Sequence, residues 1–405
     1  MIQRITIRNF KAIKELIVDF TPFTVLIGEN SSGKSTVLQA LDLLCSIASR
    51  DIDEYLKDRD WEFNDIKSQF SSDNDSIGFI TDININGKRL VWDIAISNSN
   101  GKWLIEESIH DSATGEYYLS FGRDYSDLPF DFSQLNIKSS ALKMLDADRN
   151  AINHTSFAPV LIEMKVFLTS SSSFELLSPD RMRSRGSRGK VSDIGMGGEK
   201  LAAFIHGMLP NKKNELNKMV SNLVGYDLKI STTAQRQPGW VEMFLVEMWG
   251  GTEVKTKKRY ISDGLLRIIA FSAILVSQDN KKHVQLPFAQ GFYSLKGFIM
   301  LDEIEDGINP IRAEKLMDCF KLLSKENRRQ IVITSHSPVM LNYVDEGDIL
   351  FMWRDRNGDI HARPLFHTYK MRETLEFLNP GEVWLNYPKE SIVERLAATN
   401  REYYD

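Results

Sequence analysis

An α/β fold built round a mainly parallel central sheet is predicted by three stretches of this sequence. The first is Thr24-Val25-Leu26-Ile27, an apolar run that opens into Gly28-Glu29-Asn30-Ser31-Ser32-Gly33-Lys34-Ser35-Thr36. Val37, Leu38, Leu41, Leu44 and Cys45 then recur at helical spacing. The second is Gly297-Phe298-Ile299-Met300-Leu301, an apolar run that ends in Asp302-Glu303. The third is Gln330-Ile331-Val332-Ile333-Thr334, followed by Ser335-His336-Ser337-Pro338. Continuous apolar runs without polar alternation are what strands buried on both faces require.

The glycine stretch fits G-x-x-x-x-G-K-[ST] at every fixed position, in the required order of strand, loop and helix. Gly28 and Gly33 let successive N–H groups turn inward and join the helix N-terminus around a phosphate chain, with Glu29, Asn30, Ser31, Ser32 and Thr36 completing the loop. Lys34 is expected to reach the β- and γ-phosphates and the Ser35 hydroxyl to ligate Mg²⁺. Asp302, at a strand tip, is expected to hold Mg²⁺ through its water shell, and Glu303 to polarise an attacking water. Ligands in open α/β sheets sit beyond the carboxyl ends of strands, which aims His336 at a γ-phosphate. The expected ligands are therefore ATP and Mg²⁺.

Tyr260-Ile261-Ser262-Asp263-Gly264-Leu265 opens another helix, with Ser262 suited to its N-cap and its first N–H groups available to an anion. Alternation at Ile5 and Ile7, and at Leu16, Val18 and Phe20, predicts two paired strands before the phosphate loop. Asp51 to Asp75 reads as a packed surface loop carrying Trp61, Phe63 and Phe70. Ile77–Ile80, Ile83–Ile85, Leu90–Ile96 and Trp103–Ile105, punctuated by Asn86-Gly87 and Asn100-Gly101, predict an antiparallel subdomain. A helix is expected over Pro159–Leu168, a loop at Ser170–Ser173, and a strand at Phe174–Leu177 ending in a turn. Glu199–Leu209 and Lys213–Leu223 read as amphipathic helices separated by Pro210-Asn211, followed by strands at Leu228–Ile230 and Val241–Trp249. No heptad repeat is sustained, so no long coiled-coil arm is expected.

Between these elements lies Arg181, Arg183, Arg185, Arg188 and Lys190 in a Ser/Gly-rich run, either a solvated loop or a contact for the phosphates of nucleotide or nucleic acid. The chain has 405 residues and a net charge of −5, so any nucleic-acid contact must be regional. Cys45 and Cys319 are its two cysteines, each on an apolar helical pattern, so neither a disulfide framework nor a cysteine zinc site is suggested, and a reducing cytoplasm fits. The N-terminus lacks the apolar core of a signal peptide. The apolar stretches around Phe157–Leu168 and Leu265–Val276 are interrupted by Glu163, Lys165 and Arg267 and are short for a membrane span. A cytoplasmic protein without a membrane segment is expected. The segments assigned are 1–50 with the phosphate loop, 51–174 with the antiparallel strands and an insert, 175–254 with the basic loop and helical insert, and 255–405 as a C-terminal lobe.

Taken together, these residues resemble the ABC-type ATPase heads of the SMC/RecF and OLD-like group, members of the P-loop NTPase class. The match covers Ile5-Thr6-Ile7-Arg8-Asn9-Phe10-Lys11, the loop Gly28–Thr36, Ser262-Asp263-Gly264 as the signature motif, Asp302–Pro310 as Walker B and D-loop, and Ser335–Pro338 as the H-loop. Pro380-Gly381-Glu382-Val383-Trp384 also resembles these bacterial ATPases. The transporter signature Leu-Ser-Gly-Gly-Gln is absent, which disfavours a transporter ATPase, and the sequence does not assign a Q-loop glutamine. About seventy residues follow His336, fewer than the nuclease domain of OLD proteins needs on the usual scale of domains. The resemblance implies an ATP-hydrolysing dimer in which Ser262 and Gly264 of one subunit face the nucleotide on the other. It implies the ATPase component of an anti-phage system acting with a separate nuclease effector. The alternatives are a RecF/SMC-like DNA-binding ATPase of recombination or repair, gripping DNA through Arg181–Lys190, and a weakly catalytic ATP-bound scaffold.

Overall fold

The computed structural model describes residues 1–72, 75–99, 101–121, 138–144, 158–174, 177–184, 191, 193–234, 240–277, 284–285, 292–293, 297–327 and 329–397. The chain forms two units: residues 1–172, 284–300 and 321–405 make the first, and residues 173–283 and 301–320 the second.

The first unit opens with β1 (Ile2–Phe10), β2 (Ile13–Asp19) and β3 (Phe23–Ile27), then α1 (Lys34–Ile47), α2 (Ile52–Asp58) and α3 (Phe63–Ile66). It continues through β4 (Ile77–Ile85), β5 (Lys88–Ser99), β6 (Lys102–Asp111), β7 (Tyr117–Phe121) and α4 (Ala158–Thr169); β8 (Ser172–Phe174) falls at the boundary. The second unit follows with α5 (Pro179–Arg183), α6 (Leu201–Gly207), α7 (Pro210–Val224), β9 (Leu228–Ala234), β10 (Val241–Trp249), β11 (Thr252–Lys257) and α8 (Asp263–Ser277). Two short strands, β12 (Val284–Gln285) and β13 (Phe292–Tyr293), precede β14 (Ile299–Leu301), α9 (Pro310–Asn327) and β15 (Ile331–Ser335). The chain then adds α10 (Pro338–Leu341), β16 (Ile349–Arg354), β17 (Ile360–Pro364), α11 (Tyr369–Arg372), α12 (Pro380–Asn386) and α13 (Lys389–Ala397).

Two six-stranded sheets organise the first unit. One is antiparallel in the order β2-β1-β4-β5-β6-β7; the other runs β17-β16-β3-β15-β14-β8. In the second sheet β3 is parallel to both β15 and β16, while β17 is an antiparallel edge. The apolar runs at 24–27 and 331–334 are thus buried on both faces, as their lack of alternation demands. The first sheet alternates instead: Ile77, Phe79, Ile83 and Ile85 of β4 point into the core and their neighbours are half exposed. Its solvent face carries Arg4 opposite Asp19 at 2.5 Å and Arg8 opposite Glu15 at 2.8 Å, pairs in register that favour this pairing over a slipped one. Asn86 and Gly87 join β4 to β5 with φ of 50° and 93°, the double left-handed turn whose twist suits a hairpin.

Four expectations need correction. Ile77–Ile80 and Ile83–Ile85 are one strand. Asp51–Asp75 is partly helical: Ile52, Tyr55 and Leu56 bury one helix face, and Glu62 with Asp65 closes a capping box, whereas Phe70 is 53% exposed. Ser172 and Ser173 lie in β8, where the Ser172 N–H donates to the Phe298 carbonyl at 2.9 Å; the ladder, not serine's weak strand preference, decides. In the second unit Pro210 and Asn211 belong to the first turn of α7, where proline's fixed φ is already helical. There β11-β10-β9 form an antiparallel sheet, with Val241, Met243 and Leu245 of β10 buried.

Candidate functional site

The phosphate-loop geometry follows from its flanking strands. β3 delivers the chain to Gly28, whose φ of 153° and contact with the Met352 carbonyl leave no room for a Cβ. Ser31 (φ 64°) and Gly33 (φ 95°) turn the chain again, and a Cβ on Gly33 would lie 2.8 Å from Ile360 Cδ1. Ser32 N–H closes the turn on the Glu29 carbonyl at 3.2 Å. α1 then starts at Lys34 with glycine as its N-cap residue, so no cap side chain competes for the N–H groups of the first turn. Lys34 is 5% exposed; its Nζ donates to the carbonyls of Gly28 and Glu29 at 2.9 Å each and reaches Ser32 Oγ at 3.4 Å. A cradle too tight for side chains, a helix N-terminus and an inward lysine fit a polyphosphate. The Ser35 hydroxyl and the Asp302 carboxylate are hard oxygen donors of the kind Mg²⁺ takes.

His336 belongs to the same end of the same sheet. Ser335 is the register partner of Ile27, so His336 and Gly28 leave neighbouring parallel strands at the same level. The segment after His336 is held by α12: Gly381 N–H donates to Asn342 Oδ1 at 2.8 Å, and a Cβ on Gly381 would meet the Pro338 carbonyl. Lys389 lies 3.4 Å from the carboxylate of Glu29. Asn342, Gly381 and Lys389 are supports that sequence reasoning missed. Only the quoted stretch Pro380–Trp384 hinted at them, because nothing in a sequence tells which loop a terminal helix will brace.

The second unit carries the other motif residues. Asp302 is half buried, and Glu303 is exposed with φ of 47°, a left-handed conformation uncommon for a glutamate. The turn continues with Asp306 N–H donating to the Glu303 carbonyl at 3.1 Å and Ile308 N–H to the Glu305 carbonyl at 2.9 Å. Gly264 packs so closely on the Gly307 carbonyl that a Cβ is excluded, and Arg267 pairs with Asp306 at 2.6 Å. The turn that opens α8 and the turn that follows β14 are therefore one packed structure. Ser262 is exposed ahead of α8, and its carbonyl accepts from Leu266 N–H at 3.0 Å. Asp263 is bound by the Arg183 guanidinium, which also donates to the Ile261 carbonyl at 2.8 Å. Arg181 and Arg183 lie in α5 rather than in a loop, because Ser178 caps the helix and Pro179 opens it; Arg181 is exposed, and Arg185, Arg188 and Lys190 lie outside the described residues.

Among the described residues, no helix is long and apolar enough to cross a membrane. The fold is that of solved SMC heads. A crystal structure of the SMC head bound to the C-winged helix domain of ScpA aligns with a TM-score of 0.56 and 14% identity, over 92% of this chain and 99% of that one. The SMC head with an extended coiled coil, bound to the C-terminal domain of ScpA from Pyrococcus furiosus, aligns with a TM-score of 0.53 and 13% identity, over 93% and 99%. No curated protein sequence matches the chain. Residues 23–342 match the family model described as "AAA domain, putative AbiEii toxin, Type IV TA system"; with the phosphate loop, its strand and its helix all inside that span, the chain belongs to this AAA-domain family.

Proposed function

We propose that the chain is an ATP-hydrolysing conformational switch, in which two copies close on two ATP molecules and reopen after hydrolysis. The observation that carries this reading is the Gly28–Thr36 loop, where an added Cβ would clash at Gly28 and crowd Ile360 at Gly33, with Lys34 folded against it. Lys34 exchanges its loop carbonyls for the β- and γ-phosphates. Ser35 and Asp302 would hold Mg²⁺, which when bound would supply charge neutralisation on the phosphates. Glu303 takes the proton of the attacking water, and His336 donates to the γ-phosphate. Ser262, Asp263 and Gly264 complete the site from the second copy through the N-terminus of α8.

The biological setting we infer is bacterial anti-phage defence with a separate nuclease effector in the cytoplasm. It rests on the family resemblance and on the fact that one solved SMC head carries a bound partner, the C-winged helix domain of ScpA. Phosphate release from ATP with and without Mg²⁺ tests the enzymatic reading. The parent chain should turn over only with Mg²⁺, while Glu303→Gln should bind ATP and not hydrolyse it. Turnover by Glu303→Gln at the parent rate would reassign the base, with Glu305 the next carboxylate in line.

A further inference from the structure

A second concave site lies in the second unit, beside the turn that opens α8. β10 turns one face inward through Val241, Met243 and Leu245 and leaves Glu242, Phe244 and Val246 on the other. Phe244 is the register partner of Lys257, and Val246 of Lys255 and Lys229, so the open face carries lysines on both neighbouring strands. At the end of this face is a pocket of about 180 Å³ whose lining includes Arg183, Lys257, Lys258, Arg259, Trp240 and Phe244. Glu242 is the one acid in the lining, against four cations.

Arg183 is already paired with Asp180 and Asp263 and Glu242 lies in the lining, yet Lys257, Lys258 and Arg259 add three more positive charges to one concavity, which favours an anion there. Burial pushes the Lys258 amine below its ordinary value, with the Glu242 carboxylate working against that effect. Guanidinium groups match phosphate geometry, and an indole and a phenyl ring offer flat apolar walls to a base. We propose that this pocket binds the phosphate of a nucleotide, with the base against Trp240 or Phe244, either as a free mononucleotide or as part of a nucleic-acid strand continuing along the lysine face. The site is separate from the Lys34 loop and does not depend on the ATPase reading. Arg183 ties it to the signature turn, because the same guanidinium binds Asp263 and the Ile261 carbonyl.

The test uses the full chain carrying Lys34→Ala, which disables the phosphate loop. AMP and a short dye-labelled oligothymidylate are titrated separately at low salt, then again with Lys257→Ala and Arg259→Ala added. Both of these side chains are exposed, so their loss leaves the fold intact. Binding should survive Lys34→Ala, weaken by about tenfold or more in the double alanine variant, and return with Lys257→Arg and Arg259→Lys. AMP binding identifies a mononucleotide site; binding of the oligonucleotide alone, with a steep salt dependence, identifies a strand. The proposal is overturned if neither probe binds the Lys34→Ala chain, or if the double alanine variant binds as tightly. A failure of the phosphate-loop reading shows separately, as ATP affinity unchanged between the parent and Lys34→Ala.

Discussion

Lys34 donates to the carbonyl oxygens of Gly28 and Glu29 at 2.9 Å each, so the cation of the loop is held by the backbone it belongs to. The loop is thereby kept curled round the point where an anion enters, and the lysine has only to exchange acceptors.

Lys34→Ala should therefore weaken ATP binding by about a hundredfold, since a hydrogen bond to a charged group contributes roughly 1.5–3 kcal/mol and more than one is lost. Calorimetric titration of ATP checks this. An unchanged affinity would remove Lys34 from the binding site.

Gly264→Ala is expected to act differently, because its Cβ would press on the Gly307 carbonyl while leaving the phosphate loop untouched. Hydrolysis should fall steeply, ATP affinity should hold within a few-fold, and the melting temperature should drop by about 2–4 °C for each kcal/mol of strain. Full ATPase activity in this variant would show that the contact between signature turn and D-loop is dispensable.

The phosphate loop, the buried strands at 24–27 and 331–334 and the Asn86-Gly87 hairpin were legible because each is specified locally, by glycine geometry, unbroken apolarity or a two-residue turn. What was not legible depends on partners distant in sequence. β8 is a strand because Phe298 lies beside Ser172, more than a hundred residues away. Beyond Val241–Trp249 no further strand was expected, yet Lys255 and Lys257 lie in β11 because Gly250-Gly251, with φ of 55° and 83°, folds the chain back on β10. Nor does any local signal link Arg183 to Asp263, and the bracing of Glu29 by Lys389 joins the two ends of the chain.

A buried carboxylate makes stability depend on pH. Glu107 accepts from Trp92 Nε1 at 2.7 Å, Ser140 Oγ at 2.5 Å and Ala141 N–H at 2.7 Å. Burial holds its carboxyl above the ordinary glutamate value despite these donors. Because the folded value is raised, this group's contribution is fully present below the ordinary range and is lost as pH rises through the folded value. In urea titrations at a series of pH values, the stability of Glu107→Gln relative to the parent should grow with pH. A flat difference would mean that Glu107 titrates normally. Glu107→Ala leaves its donors orphaned and should cost about 1–3 kcal/mol or more at any pH.

The proposed dimer makes the sharpest demand on the site. Ser262 is exposed at the start of α8, where the helix N-terminus favours an anion, and Asp263 beside it is occupied by Arg183. If that anion is the γ-phosphate on a second copy, each active site needs Lys34 from one chain and Ser262 from the other, related by a two-fold axis. Lys34→Ala destroys both loops of a homodimer, and Ser262→Arg blocks both signature turns, so each variant alone should be inactive. A heterodimer of the two places both lesions in one site and leaves the other intact. Co-expressed with different tags and purified through both, it should hydrolyse ATP at roughly half the parent rate per dimer. Activity no higher than that of either homodimer would show that the site does not cross the subunits, and would favour one completed within a single chain.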